Sequence, residues 1–169
     1  SCDSEPLAVC EASGPHLAAV ARLGLKTIVA DAPRVLGPGM LSAWVDRNGG
    51  CGITVEVGRN GTSESEGWAH QLVERWLDES AVAPAANIRV WHLTEVIVAR
   101  EDNTRLVRAL GNASRVQIGE VLARGTNTMI SAPGDGGVFL PKSPVAKGQP
   151  IALFAIDGGL HTVPSESQA

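Results

Sequence analysis

The sequence predicts an α/β layer followed by a β-rich unit, on three observations. Over residues 15–79, short β-branched runs alternate with segments of helical periodicity, as strand–helix–strand packing requires. From residue 88 onward helical periodicity stops, and strand-length apolar runs are separated by Gly, Pro, Asn and Asp. Between the two lies AVAPAAN (81–87), which reads as a linker. The expected domains are therefore 1–83 and 84–169.

PHLAAVARLG (15–24) has the spacing of a short helix, introduced by Ser13 and Gly14 and stopped by Gly24. KTIVAD (26–31) reads as a buried strand. GMLSAWVDRNGG (39–50) reads as a helix with Met40, Leu41, Trp44 and Val45 on one face and Asn48–Gly49 at its end. CGITVEVG (51–58) is the next strand, buried by its apolar alternation. SESE (63–66) has the form of a capping box, with Ser63 as N-cap and Glu66 three residues later. It opens an amphipathic helix whose apolar face is Trp68, Leu72, Val73, Trp76 and Leu77. In the second half, IRVWHLTEVIVAR (88–100) is a long β-type run, followed by TRLVRAL, VQIGEVLARG, NTMISA, GGVFLP and PIALFAI. The stretch ISAPGDGGVFLPKSPVAKGQPIALFA reads as a barrel-type hairpin: strand, Gly-rich turn, strand, AKGQ turn, strand.

The chain of 169 residues, 44% hydrophobic, is long enough for one good core or for a layered domain with a smaller companion. A net charge of −4 with no Lys/Arg-rich run argues against nucleic acid as the main partner. No apolar run is long enough to cross a membrane, and SCDSEPLAVCEASG lacks the order of a signal peptide. Cys2, Cys10 and Cys51 lack metal-type spacing and read as reduced thiols in a cytoplasmic protein, with Cys10 and Cys51 in the core. The triplets NGT at Asn60 and NAS at Asn112 read as chance. The absence of Tyr and the high Ala, Gly, Val and Arg content suggest a GC-rich bacterial genome.

Glu56 is the sharpest candidate for chemistry. It interrupts an apolar strand, where a carboxylate costs several kcal/mol unless it is paired, solvated or used. Alternation puts Thr54 and Glu56 on one side and Ile53, Val55 and Val57 on the other. In an open parallel sheet, ligands collect outside the carboxyl ends of the strands, and Glu56 stands at that end of its strand before the polar RNGTSES loop. The structural alternative is an ion pair with Arg47 or Arg59. His16, His70, His92 and His161 show no ligand spacing; His70 and His92 read as surface and structural residues. GGCGITVEVG has neither GxGxxG nor GK[ST] and is no phosphate cradle. No Ser–His–Asp set can be read from spacing. Three readings stay open at this level: an enzyme part with Glu56 as acid or base, a binding module on the β half, and a structural fragment.

At GITVEVG and its surroundings the chain resembles the succinylglutamate desuccinylase/aspartoacylase family of zinc-dependent hydrolases. The ordered context carries the resemblance: LAVCEASGPHLAAVARLGLKTIVAD, then GPGMLSAWVDRNGG, then a strand ending in Glu-x-Gly, with counterparts to the following helix (64–79) and β-rich tail (88–163). The resemblance implies an incomplete carboxypeptidase-like parallel or mixed sheet with flanking helices, then a small β-rich barrel-like domain partly walling the substrate channel. It implies hydrolysis of N-acyl amino acids, with Glu56 as general base on zinc-bound water and then proton donor to the leaving amine. The family's HxxE ligand pair and its D-[LM]-H ligand would precede Ser1, as would its substrate-gripping Arg motif. Residues 1–169 are thus expected to be a C-terminal portion, with no zinc ligand of its own and no tightly bound zinc. The expected partners are a small N-acyl amino acid and either a second copy or the missing N-terminal portion, with no nucleic acid and no membrane. The alternative is a non-catalytic β-barrel module, because APGDGGVFLPKSPVAKGQPI also resembles a biotinyl/lipoyl-type barrel, though without a modifiable Lys at GDGG.

Overall fold

The structure, a computed structural model, describes residues 5–78 and 85–165. Cys2, most of the expected linker and the expected joint at Pro84 lie outside the described residues. Along the chain run β1 (Leu7–Val9), α1 (Gly14–Arg22), β2 (Thr27–Ala30), α2 (Ala32–Leu36), α3 (Leu41–Arg47), β3 (Thr54–Glu56) and α4 (Ser63–Leu77). They are followed by β4 (Ala86–Val98), β5 (Arg105–Leu106), β6 (Ser114–Val116), β7 (Val121–Arg124), β8 (Met129–Ser131), β9 (Gly136–Phe139) and β10 (Pro150–Val163). The strands form a seven-stranded sheet ordered β3-β1-β2-β4-β10-β9-β6 and a three-stranded sheet ordered β5-β7-β8.

The chain divides into two compact units, Glu5–Trp91 with the segment from Gly158 onward, and His92–Asp157. The divisions fall inside β4 and inside β10, so the boundary expected at 83/84 moves into a strand. The physical reason is strand length: β4 and β10 are 13 and 14 residues long, and each continues as an uninterrupted strand across the division.

In the first unit, β1 and β2 are parallel, with Ala8 opposite Ile28 and Val9 opposite Val29. The connection between them is α1, and its end shows how sequence sets structure here. Gly24 takes φ +73°, which only glycine adopts without strain, and its N–H donates to Ala21 O while Leu25 N–H donates to Val20 O. That pair of hydrogen bonds returns the chain toward β2. Val20, Ala21, Leu23 and Leu25 then join Ala8, Ile28 and Leu72 in the core. The short helix α2 was not expected: with Pro33 in its first turn, it follows directly on β2.

Two expectations fail in instructive ways. The N-cap of α4 is Thr62, not Ser63, because Thr62 has the extended backbone and its Oγ1 accepts from Ser65 N–H at 3.2 Å. The apolar face of α4 is also largely uncovered. Of its expected core residues only Leu72 is buried, while Val73, Trp76 and Leu77 stand exposed.

The second unit has its own core, centred on Ile97, Val116, Leu122, Val138, Ile151 and Phe154. The barrel-type hairpin expected at 130–155 does not form as drawn. β8 pairs with β7 in the small sheet, whereas β9 pairs with β10 and β6. Each pairing buries the strand's apolar side, and the Gly-rich segment before β9 carries the chain from one ladder to the other. The AKGQ turn does form, with Gln149 N–H donating to Ala146 O.

These glycines make opposite predictions. A methyl group on Gly136 would run into Ala155 O and the Phe154 ring, so Gly136→Ala should cost about 1–3 kcal/mol in urea unfolding. Gly67 sits in α4 with open space around it, so Gly67→Ala should stabilise by about 1 kcal/mol. Equal effects from the two substitutions would contradict the packing described.

Candidate functional site

The strand carrying Glu56 is an edge strand, half-buried along its length, and not the buried strand that its alternation suggested. It runs antiparallel to β1, with Leu7 opposite Glu56 and Val9 opposite Thr54. Glu56 is the last residue of β3, but the reversed direction sets it beside the amino end of β1. The expected place, outside the carboxyl ends of the parallel strands, is therefore corrected. Direction is invisible to alternation, which reads the same both ways.

The ladder geometry also fixes which backbone groups of β3 are used. Cys10 N–H donates to Val29 O at 3.3 Å, so the backbone groups of Ala8 and Cys10 face β2. Those of Leu7 and Val9 then face β3, which makes Leu7–Glu56 and Val9–Thr54 the hydrogen-bonded pairs. Val55, between them, turns its N–H and C=O outward from the sheet. On the side-chain level the expected alternation holds: Ile53, Val55 and Val57 lie against the core, leaving Thr54 and Glu56 on the opposite side.

Glu56 is half-buried, and among the described residues no ion pair holds it. Of its two proposed partners, Arg47 donates to Pro38 O at 3.1 Å instead, and Arg59 is exposed in the loop after β3. A cavity of about 630 Å³ runs along β3, lined from α3 through Ile53, Val55 and Val57 to α4. Glu56 is not among its lining residues.

The entry to β3 is held by a hydrogen-bond cluster that spacing did not reveal. Ser13 Oγ lies 2.7 Å from His16 Nδ1, and His16 Nε2 lies 2.9 Å from Asp46 Oδ1. The same Asp46 oxygen accepts from Gly52 N–H at 2.7 Å. Three side chains 3 and 30 residues apart thus make a Ser–His–Asp chain. The Ser contacts Nδ1 and the Asp contacts Nε2. What the cluster does is mechanical: it ties the start of α1 and the end of α3 to the residue that leads into β3. Gly52 is needed there, because a Cβ would overlap the Ser42 backbone.

His70 lies on the exposed flank of α4, 3.4 Å from Glu74, and His92 is exposed on β4. Among the described residues no three His, Cys, Asp or Glu side chains group as a metal site. Cys10 is buried as expected, and burial, reinforced by Cys51, Asp46 and Glu11, pushes its thiol up to about 12. Cys51 is only half-buried; burial first and then Asp46 raise its thiol above the usual range.

The fold is shared with solved structures that include succinylglutamate desuccinylases and an aminoacylase. No protein-family model matches the sequence, and no curated protein does. Among solved structures, succinylglutamate desuccinylase from Vibrio parahaemolyticus superposes with a TM-score of 0.63 at 18% identity, covering 94% of this chain and 53% of that one. The product-bound ectoine utilization protein EutE (DoeB) from Ruegeria pomeroyi gives 0.68 at 15% identity, over 90% and 53%. Murine aminoacylase 3 gives 0.59 at 12% identity, over 96% and 61%. The chain therefore spans about half the length of the solved structures it matches. No helix among the described residues is long and apolar enough to cross a membrane.

Two measurements check the site as built. Asp46→Ala removes the acceptor of both Gly52 N–H and His16, so unfolding free energy should fall by about 1–3 kcal/mol. A loss no larger than an ordinary surface substitution, about 0.5 kcal/mol, would mean the cluster does not hold β3. For the thiols, a disulfide reagent applied to folded protein at pH 8 should leave Cys10 unmodified until denaturant is added. Its raised pKa keeps it protonated there, and reactivity should appear only as pH climbs toward 12. Rapid labelling of Cys10 in the native state would contradict this.

Proposed function

We propose that residues 1–169 are the C-terminal portion of an amidohydrolase that deacylates N-acyl amino acids, with Glu56 as its proton-transfer residue. The observation that carries the reading is a half-buried carboxylate on an edge strand, with no ion-pair partner among the described residues, within a fold shared over most of the chain with a desuccinylase and an aminoacylase. A carboxylate held without a counter-ion keeps its acceptor oxygens for a ligand, whereas a structural one is spent on a partner.

In this reading Glu56 takes a proton from a water molecule as the water oxygen attacks the acyl carbonyl carbon. The tetrahedral intermediate then breaks its C–N bond, and the same proton passes from Glu56 to the departing nitrogen. Water and amide become carboxylic acid and amine, and Glu56 ends as it began. The zinc ion that the resemblance implies does not fit the described residues, which offer no three-ligand group. Its ligands belong, in this proposal, to polypeptide outside residues 1–169.

The test is Glu56→Gln in the complete enzyme, assayed on a panel of N-succinyl and N-acetyl amino acids. Gln keeps the shape and removes the base, so kcat should fall by about 10²–10⁴. Metal content should stay unchanged. An unaltered kcat would remove Glu56 from the chemistry, and lost metal would make it a ligand.

A further inference from the structure

We propose that Arg105 and Arg124, side by side on the outer face of the β5-β7-β8 sheet, form a binding site for a phosphate-type dianion. The site lies wholly within the second unit and is independent of the chemistry proposed for Glu56.

The pairing of β5 with β7 sets Arg105 directly opposite Arg124 and Leu106 directly opposite Ala123. Ala123 is buried and Leu106 packs against the core of the unit, so alternation turns both arginines to the other side, where both are exposed. The spacing between them follows from the ladder. Val107 N–H donates to Leu122 O at 3.0 Å, which makes Val107–Leu122 a hydrogen-bonded pair and, two residues along, Arg105–Arg124 another. Their Cα atoms are then about 5.5 Å apart. Like charges directly opposite one another destabilise a pair of strands.

The neighbouring chain supplies no acid to cancel that charge. Beyond β7 lies β8, whose three residues are Met, Ile and Ser, with Met129 opposite Arg124. Beyond β5, the segment that bridges to Thr104 reads KSPV over 142–145. The acids of the adjoining loops are engaged with backbone: Glu101 accepts from Asn127 N–H at 3.1 Å, and Asp102 from Lys147 N–H at 2.9 Å. Two other arginines of the unit are paired, Arg108 with Glu120 at 2.8 Å and Arg115 with Asp157 at 2.7 Å. Among the described residues, Arg105 and Arg124 have no such partner. In a chain of net charge −4 they make an uncompensated local doublet of positive charge. Two planar guanidinium forks at this separation match a tetrahedral dianion, which offers each fork its own pair of oxygens. A planar carboxylate offers one such edge and serves one fork fully.

The experiment titrates inorganic phosphate into the 169-residue chain, against sodium chloride of equal ionic strength. Phosphate should raise the thermal unfolding midpoint where chloride does not, because it binds the folded sheet and not the unfolded chain. Arg105→Gln and Arg124→Gln should each weaken phosphate binding by about 10-fold or more. Both residues are exposed, so the variants keep the fold. A double-mutant cycle adds a readout that two independently solvated arginines would not give: the pair should destabilise one another in chloride and cease to do so in phosphate. Glycerol phosphate titrated beside inorganic phosphate separates the sources. Tighter binding of the ester assigns the site to a phosphorylated metabolite, and tighter binding of the ion assigns it to free phosphate. Phosphate acting no better than chloride, the same coupling in both salts, or a phosphate effect that survives the double substitution would each overturn the proposal. So would succinate binding as tightly as phosphate, since the two forks would then be reading carboxylates.

Discussion

One carboxylate oxygen does more for the candidate site than any other atom described. Asp46 Oδ1 accepts from His16 Nε2 and from Gly52 N–H, and so joins the first turn of α1, the last turn of α3 and the entry to β3. A three-residue strand has little hold of its own, since two backbone pairs with β1 are all that its ladder provides. Fixing the residue two positions ahead of it limits where Thr54 can start. Everything attributed to Glu56 depends on that register, because a slip of one residue would turn the carboxylate into the core and Val55 out of it.

The edge position of β3 explains two observations that look unrelated. A half-buried carboxylate survives in an apolar strand because only one side of that strand faces the core. The apolar stripe of α4 stays in water because, among the described residues, nothing lies across the sheet edge to cover it. Burial of a Leu or Val side chain is worth about 1.5–3 kcal/mol relative to exposure, so leaving Leu41, Val73 and Leu77 outside forgoes a considerable sum. The same free energy becomes available to whatever covers them. The half-buried carboxylate and the uncovered stripe thus share one structural cause.

The cluster of Ser13, His16 and Asp46 shows why residue types alone do not make a site. Its members are those of a hydrolytic triad and its distances are short. Yet Ser13 is the N-cap residue of α1, and its hydroxyl reaches a histidine in the same helical turn. The buried imidazole is shared between two structural anchors, and the cavity described along β3 is lined by neither Ser13 nor His16. Its chemistry is spent on position.

Local order was legible in the residues themselves. The Gly24 stop of α1, the strand around Ile28, the helix after the polar 59–63 loop and the alternation of Ile53, Val55 and Val57 about Glu56 all follow from short-range sterics and periodicity. The resemblance to the desuccinylase fold was legible too, because it lies in the order of such segments. What tertiary structure alone decided was direction and neighbourhood. Nothing in GITVEVG says that the strand runs against β1, that among the described residues it has one neighbour and not two, or that Trp76 and Leu77 meet water. The pairing of β8 with β7, the continuity of β4 and β10 through both units, and the meeting of His16 with Asp46 across 30 residues are of the same kind. Periodicity records which side of an element is apolar; which partner, if any, takes that side depends on contacts between residues far apart in the chain.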